Sequence, residues 1–390
     1  MISLLKNFTA QKNNLTSLFN EEETKNVIAF HKTFPNYFPT PLITLNGLSQ
    51  KLGVSKIWVK DESHRFGLKA FKVLGASYAI AKYLCEQYGF DKNDISFSLF
   101  KKSEVQNLIK EITLATATDG NHGRGVAWTA QQLGCKCVVY MPKGTTQARF
   151  ENIKSIGADV NIIDGGYDEA VRLAETNSKK FDWLLVQDTS WDGYETIPKW
   201  IMQGYLTILD EISSQLSSEK PTHVFVQCGV GSLPAAVWGY YFEKNLKPIL
   251  IVVEPNDAAC VLKSAKNKKI VSLQNDMKSI MAGLSCGTPS KLAFDILNSL
   301  SDFFIKCSDD VTEKGMQILG RQEFGDPQII SGESGAVTTG LLYYLLSDEK
   351  YKSMAKELQL DKDSKILLIS TEGNTDPENY KKIVNTETLS

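Results

Sequence analysis

Short apolar runs alternate with amphipathic segments along most of this chain. The runs at 250–254 (LIVVE) and 365–369 (KILLI) are almost wholly apolar, which is typical of strands buried on both faces of a parallel sheet. The segment 71–88 instead spaces its apolar residues as one face of a helix does. Strands that alternate with helices predict an α/β fold with open, mostly parallel twisted sheets and helices on both faces.

The same alternation continues between these segments and gives the expected order of elements. It predicts strands at 56–60, 111–117, 135–141, 160–163, 184–187 and 223–227, and helices at 123–133, 145–156, 168–181 and 233–242. A chain of 390 residues is longer than one ordinary hydrophobic core supports. We therefore predict a large domain formed by 1–78 and 193–390, with a smaller α/β domain, 79–192, inserted into it.

Charge and composition narrow the classes of partner. The net charge is −2, so no basic surface points to nucleic acid. No run of about 18 apolar residues occurs, so we expect no membrane-spanning helix and no membrane partner. The N-terminal apolar run is too short for a secretory signal. We therefore expect a cytoplasmic protein.

The cysteines and histidines do not form the pattern of a metal site. The chain has seven cysteines and four histidines but no C-x-x-C pair, so we predict no bound metal. Cys260 and Cys286 lie in or beside loop-like sequence. Reduced, buried thiols are the expected state in the cytosol, and a strained or regulatory disulfide between these two is the alternative.

Two segments carry candidate chemistry, one for forming a Schiff base and one for binding an anion. Lys72 follows the aromatic Phe71 at the start of a largely apolar helix, and a lysine in apolar surroundings can form a Schiff base. A solvated lysine is the alternative. The loop 229–232 (GVGS) lies between a strand and a helix, where backbone N–H groups can approach an anion. Such a turn is also a common connection, and with Glu254 as an acidic partner it leaves a nicotinamide site open.

A third segment, 118–123 (TDGNHG), lies where a predicted strand runs into a helix. Open α/β sheets bind their ligands at the carboxyl ends of strands, so this segment belongs to the expected site. Asp119 could also be an ordinary turn residue that caps the following helix. Asp188 follows another predicted strand and has the same alternative.

Together these segments resemble the fold-type II pyridoxal-phosphate (PLP) enzymes. The resemblance rests on an ordered set of motifs, 70–72 (AFK), 118–123 (TDGNHG), 229–232 (GVGS) and 371–374 (TEGN). Longer strings resemble the diaminopropionate ammonia-lyase branch of that family: 60–72 (KDESHRFGLKAFK), 186–191 (VQDTSW), 281–287 (MAGLSCG) and 331–336 (SGESGA).

The resemblance implies a role for each matching position. It implies that Lys72 holds PLP covalently, that Asn121 bonds the phenolic oxygen and that Thr371 faces the pyridine nitrogen. The phosphate would lie on Gly229, Val230, Gly231 and Ser232. The substrate carboxylate would lie on Thr118, Asp119, Gly120 and His122, held by backbone donors, with His122 more a structural donor than an acid–base group. Glu333 would shape or charge the pocket.

The resemblance also implies a reaction. Lys72, Asp119 and Asp188 would be the catalytic residues. Dehydratases of the family usually place a small hydroxyl residue where Asp119 stands, and a carboxylate suits a substrate with an additional ammonium. The implied enzyme is a homodimeric carbon–nitrogen lyase that converts 2,3-diaminopropionate, D, L or both, to pyruvate and ammonia. A serine or threonine dehydratase and a non-catalytic PLP-binding protein are the alternatives.

Overall fold

Two β-sheets surrounded by helices form the structure, which is a computed structural model describing residues 1–7, 17–91, 94–118, 120–274 and 277–386. The strands are β1 (Ile2–Lys6), β2 (Leu42–Thr44), β3 (Lys56–Asp61), β4 (Thr113–Ala117), β5 (Lys136–Met141), β6 (Asp159–Ile162), β7 (Leu184–Leu185), β8 (His223–Gln227), β9 (Ile249–Pro255), β10 (Phe303–Cys307) and β11 (Lys365–Ser370). The helices are α1 (Glu21–Lys32), α2 (Asn46–Leu52), α3 (Lys72–Tyr88), α4 (Phe97–Phe100), α5 (Ser103–Ile109), α6 (Asn121–Leu133), α7 (Gln147–Lys154), α8 (Tyr167–Phe181), α9 (Thr196–Gly204), α10 (Leu206–Leu216), α11 (Ser232–Glu243), α12 (Cys260–Asn267), α13 (Lys291–Leu300), α14 (Asp309–Arg321), α15 (Glu333–Ser347), α16 (Lys352–Glu357) and α17 (Pro377–Asn385).

Both sheets are mostly parallel. Among the described residues the larger sheet has seven strands in the order β1–β10–β9–β8–β11–β3–β2, and its five central strands run parallel. Its edge strands β1 and β2 are antiparallel to their neighbours. The smaller sheet has the order β6–β5–β4–β7 and is parallel throughout. The predicted α/β fold with open, mostly parallel sheets is confirmed.

Successive residues of the larger sheet enter two apolar layers, one on each face. On β11, Leu367 belongs to one layer and Leu368 to the other. The first layer also contains Leu114 and Val139 of the smaller sheet. One apolar layer therefore joins the two sheets.

Glycines let two neighbouring helices approach the helix that begins at Lys72. Helix α3 packs against both α9 and α6. A Cβ on Gly204 of α9 would lie 2.4 Å from the carbonyl oxygen of Leu74. On the other side, a Cβ on Gly125 of α6 would lie 2.9 Å from the backbone nitrogen of Val73. The helices therefore meet at distances that only glycine permits, and this packing fixes the first turn of α3.

A buried network of charges fastens the segment between β3 and α3. Arg65 lies in the short 3-10 segment Glu62–Gly67. Its Nη1 is 2.8 Å from Glu211 Oε1 and its Nη2 is 2.8 Å from Glu62 Oε1. Lys60 Nζ lies 2.7 Å from Glu211 Oε2. Each buried charge has an opposite partner, as burial of charge requires, and the network ties this segment to α10.

The predicted elements and the observed ones end within two residues of each other. Strand β7 ends at Leu185 rather than at 187, because the Gln187 N–H donates to the Tyr194 hydroxyl, 2.9 Å away, and not to a neighbouring strand. The predicted domain boundaries at 78/79 and 192/193 stay a prediction. In the part of the chain that the structure describes, no helix is both long and apolar enough to cross a membrane.

Replacing Gly204 by alanine should force α9 away from α3, because the new Cβ would clash with the Leu74 carbonyl. We expect the free energy of unfolding to fall by about 1–3 kcal/mol, measured by urea unfolding followed by circular dichroism. Gly166→Ala is the matched control, because its Cβ would meet no heavy atom closer than 4.0 Å. Equal losses in the two variants would contradict a tight crossing of α3 and α9.

Candidate active site

One cavity opens where the carboxyl ends of strands from both sheets come together. Residues that follow β4, β7, β8 and β11 line it, together with the first turn of α3. This is the place at which open α/β sheets bind ligands. All residues predicted to bind the cofactor line this cavity: Lys72, Asn121, Gly229, Val230, Gly231, Ser232 and Thr371. So do Thr118, His122 and Asp188 from the predicted substrate and catalytic sets.

Lys72 and Asp188 form an ion pair inside the cavity. Burial by itself lowers the pKa of the Lys72 ammonium, but the Asp188 carboxylate outweighs burial and raises that pKa above its ordinary value. Burial by itself raises the pKa of Asp188, but Lys72 and His122 lower it to about 2. Apolar surroundings alone would favour a neutral Lys72, but the Asp188 carboxylate favours the ammonium form.

His122 lies next to the ion pair. Its Nε2 is 2.8 Å from the carbonyl oxygen of Val186, so Nε2 carries the hydrogen and donates it. Its Nδ1 lies 3.9 Å from Asp188 Oδ2, is buried and has no hydrogen-bond partner among the described residues. Burial lowers the pKa of the ring, which is therefore neutral at neutral pH. The neutral ring presents a hydrogen-bond acceptor at Nδ1.

The described residues of the segment 118–123 lead from β4 into α6. The Thr118 hydroxyl oxygen accepts hydrogen bonds from the N–H groups of Gly120, at 2.9 Å, and Gly123, at 3.1 Å. Gly120 therefore directs its N–H to Thr118 and lines a smaller neighbouring pocket instead of the main cavity. The first-turn donors that remain belong to Asn121 and His122. Asp119 lies outside the described residues.

The loop 229–232 ends in the first turn of α11. Gly231 has a φ of +106°, and a Cβ there would lie 3.0 Å from Leu297 and 3.1 Å from Ala293, so neither backbone nor space admits a side chain. Ser232 is the first residue of α11, and its hydroxyl donates to the carbonyl oxygen of Asp188 at 2.7 Å. The loop thus combines close backbone approach, unpaired helix N–H groups and a positive helix end, as phosphate binding requires.

Polar side chains complete the wall of the cavity. Thr371 Oγ1 accepts a hydrogen bond from Gln227 Nε2 at 3.0 Å, so its own hydrogen remains available to a ligand. The Asn121 amide donates one N–H to Glu372 and keeps a second. Glu372 is buried, and its other oxygen accepts from the Ser334 N–H at 2.9 Å. These bonds fix the positions of Thr371 and Asn121, two of the residues predicted to bind the cofactor.

The residues present fit PLP, the cofactor that the sequence predicts. An amine, a phosphate loop, a hydroxyl and an amide of the expected kinds line one cavity. Three buried polar atoms, His122 Nδ1, Gln227 Oε1 and Ser334 Oγ, belong to residues that line the same cavity and lack a partner among the described residues. Buried polar atoms are normally hydrogen-bonded, so these three are suited to a polar ligand.

Several residues that line the cavity received no role from the sequence. Tyr167 begins α8, and its hydroxyl accepts a hydrogen bond from Gln187 Nε2 at 2.8 Å. No local signal distinguishes it from the first residue of an ordinary helix. Ser334 and Glu372 lie inside the strings 331–336 and 371–374, so the family resemblance could have indicated them. Glu333, expected to shape the pocket, does not line it, and its carboxylate pairs with the Asn379 amide.

Glu254 and the cysteines have structural surroundings. Both Glu254 oxygens accept backbone N–H groups of α12, from Val261 and Leu262 at 2.8 Å each. This carboxylate therefore caps a helix and does not serve the nicotinamide alternative. All seven cysteines are free thiols, and both Cys260 and Cys286 are buried.

Comparisons with known proteins agree with this geometry. The family model "Pyridoxal-phosphate dependent enzyme" matches residues 33–372. The chain is 48% identical to the diaminopropionate ammonia-lyase of Salmonella typhimurium over 94% of this chain and 93% of that protein. It resembles the crystal structure of the Escherichia coli diaminopropionate ammonia-lyase with an aminoacrylate–PLP azomethine reaction intermediate, with a TM-score of 0.91 and 43% identity over 99% and 97% of the two chains. The complex of that enzyme with D-serine gives a TM-score of 0.92 and 44% identity over the same shares.

Replacing Asp188 by asparagine removes the carboxylate that raises the pKa of Lys72, so Lys72 should lose its proton at lower pH. Acetic anhydride modifies only neutral amines. In protein freed of cofactor, we expect the pH midpoint of Lys72 acetylation, followed by peptide mass mapping, to fall by about one pH unit or more.

Asp192→Asn is the matched control for this variant. The Asp192 side chain is 91% exposed and lies 3.5 Å from Lys291, so its loss should leave Lys72 unchanged. An acetylation midpoint that stays the same in Asp188→Asn would contradict the ion pair.

Proposed function

We infer that this chain, which belongs to the pyridoxal-phosphate dependent enzyme family and within it to the diaminopropionate ammonia-lyases, eliminates ammonia from 2,3-diaminopropionate. The reaction is an α,β-elimination that gives pyruvate and ammonia. One observation supports it above all others. In a cavity whose residues fit PLP, the amine of Lys72 lies against the carboxylate of Asp188.

Lys72 and Asp188 would carry the proton transfer on one side of the substrate. Bound PLP withdraws electrons from the substrate's α-carbon and so makes its α-proton acidic. Lys72 would hold the cofactor until the substrate amine replaces it, and would then take the α-proton as a free amine. The Asp188 carboxylate, which pairs with the Lys72 ammonium in the cavity, would stabilise the protonated lysine that results.

The remaining cavity residues would bind and orient the cofactor. The loop 229–232 and the start of α11 would hold the phosphate, and the second N–H of Asn121 would reach the phenolic oxygen. Thr371 would face the pyridine nitrogen. A hydroxyl does not keep that nitrogen protonated as a carboxylate would, which favours elimination over transamination. The substrate carboxylate would bind the N–H groups of Asn121 and His122 and the Thr118 hydroxyl.

Asp119 is proposed as the second acid–base group and as the group that selects charge. The β-amine of the substrate is an ammonium at neutral pH, and a carboxylate attracts it whereas a hydroxyl does not. The β-nitrogen must leave protonated, because amide ion is a very poor leaving group. Turnover of both enantiomers requires bases on opposite sides of the α-carbon, with Lys72 on one side and Asp119 on the other.

The proposal extends to assembly and organisation. We propose a cytoplasmic homodimer, because the fold family is commonly dimeric. The large domain would comprise 1–78 and 193–390, with 79–192 inserted. Analytical ultracentrifugation of the purified protein tests the dimer.

The proposed reaction is tested by pyruvate release from purified, PLP-loaded protein. We expect turnover of D- or L-2,3-diaminopropionate, or of both, at a rate well above that of L-serine, or of L-threonine read as 2-ketobutyrate. Equal substrate concentrations make the rates comparable, and Lys72→Ala is the inactive control. Faster release from the hydroxy amino acids would identify a dehydratase. A PLP absorbance band without turnover of any substrate would identify a binding protein.

Replacing Asp119 by asparagine should lower kcat for the D isomer more than for the L isomer, because only one enantiomer presents its α-proton to Asp119. A general base contributes about 10²–10⁴-fold, so a difference of that order between the isomers is expected. Steady-state kinetics with each pure isomer measures it. Equal losses would leave Asp119 as a binding residue and would remove the two-base account.

A further inference from the structure

A second, smaller pocket adjoins the main cavity, and we call it the outer pocket. It shares part of its wall with the main cavity, namely Asn121, Gly283 and Glu372. Its other lining residues include Gly120, Arg124 and Arg149. The hydrogen bond between Asn121 and Glu372 therefore lies at the boundary of the two cavities. A ligand in the outer pocket would therefore lie beside Asn121, which also lines the main cavity.

Neither arginine of the outer pocket pairs with a carboxylate of the residues that the structure describes. Arg124 Nη1 donates to the carbonyl oxygen of Leu68 at 2.8 Å, while its Nε is buried with no acceptor among the described residues. The guanidinium of half-buried Arg149 makes no hydrogen bond or ion pair with any of the described residues. The backbone N–H of Arg149 donates to the Thr146 hydroxyl. Buried guanidinium groups pair with anions that come close, because burying a charge without an opposite partner costs free energy.

The Arg149 side chain lies beside Gly120, the residue that precedes α6 at the active site. Its Cδ is 3.6 Å from the position that a Cβ on Gly120 would occupy. Its charge also lowers the pKa of Glu333, although burial keeps the pKa of that carboxyl above its ordinary value. Because Gly120 immediately precedes Asn121, an anion held by Arg149 would lie at the entrance to the substrate site.

The charges of the outer pocket match those of an amino acid. Two guanidinium groups provide positive charge, and the buried carboxylate of Glu372 provides negative charge at the wall shared with the main cavity. An α-carboxylate beside Arg149 would leave an amino group free to approach Glu372. Guanidinium groups bind carboxylates through paired hydrogen bonds, which gives them orientation as well as affinity.

We propose that the outer pocket is a carboxylate subsite in which Arg149, assisted by Arg124, binds the α-carboxylate of the amino-acid substrate on its way to the main cavity. The proposal rests on the proposed function only in taking the substrate to be an amino acid. Arg149 is then a specificity-determining residue that acts on binding and not on the chemical step.

Arg149→Gln in the PLP-loaded enzyme tests this assignment. Loss of a charge-assisted hydrogen bond should raise KM for 2,3-diaminopropionate about tenfold, with kcat within about twofold of the unchanged enzyme. Arg149→Lys, which keeps the charge but not the paired donors, should recover part of the loss. Arg172→Gln is the matched control, because Arg172 is exposed on α8 and lines neither cavity.

A binding measurement separates this proposal from the proposed function. Propionate offers a carboxylate without an amine, and broadening of its methyl resonance on binding needs no turnover. We expect broadening with the unchanged enzyme and with Arg172→Gln, and clearly less broadening with Arg149→Gln, in which only the carboxylate-binding groups of the main cavity remain. That result supports the subsite even if diaminopropionate proves not to be the substrate. An unchanged KM and unchanged propionate broadening in Arg149→Gln, or a fall in kcat at constant KM, would overturn it.

Discussion

The buried ion pair between Lys72 and Asp188 is the interaction on which the rest of the site depends. Opposite charges attract strongly in a cavity that excludes much of the solvent, while either charge alone would be costly there. The pair also joins the first residue of α3 to the segment after β7, so it links elements of the two sheets. Any shift of one sheet relative to the other would therefore separate the charges.

The packing around the pair resists such a shift. Gly204 and Gly125 allow α9 and α6 to hold the first turn of α3 by backbone contact. Ser232 donates to the Asp188 carbonyl oxygen, which ties the phosphate loop to the same carboxylate-bearing segment. Catalytic groups placed on rigid elements keep their geometry without help from a ligand. The start of α3, the segment around Asp188 and the loop 229–232 are distant in sequence. These direct contacts bring them together in the fold.

Much of the fold and of the site could be predicted from the sequence, since both rest on local patterns. The runs at 250–254 and 365–369 became central strands because apolar residues on both faces suit a sheet covered on both sides. The cofactor residues were found because glycine loops and a lysine at helix starts recur in a known order. Strands β1, β2 and β10 were missed, and the first two are short antiparallel edges, which have little pattern.

What could not be predicted depends on contacts between distant segments. The apolar neighbours of Lys72 are visible in the sequence, whereas the proximity of Asp188, which raises the pKa of Lys72, arises only in the fold. The fold also brings Tyr167 and Arg149 to their cavities. They lie in the first turns of α8 and α7, in the part of the chain that forms the smaller sheet. Their own neighbours in sequence give no sign of this.

The most direct test of the account is to reduce the PLP-loaded protein with borohydride and map the labelled peptide by mass spectrometry. The account predicts a single pyridoxyl group, attached to Lys72 Nζ, and its loss in Lys72→Ala. A pyridoxyl group on another lysine of the unchanged protein, or none at all, would contradict the assignment of Lys72 and of the cavity around it.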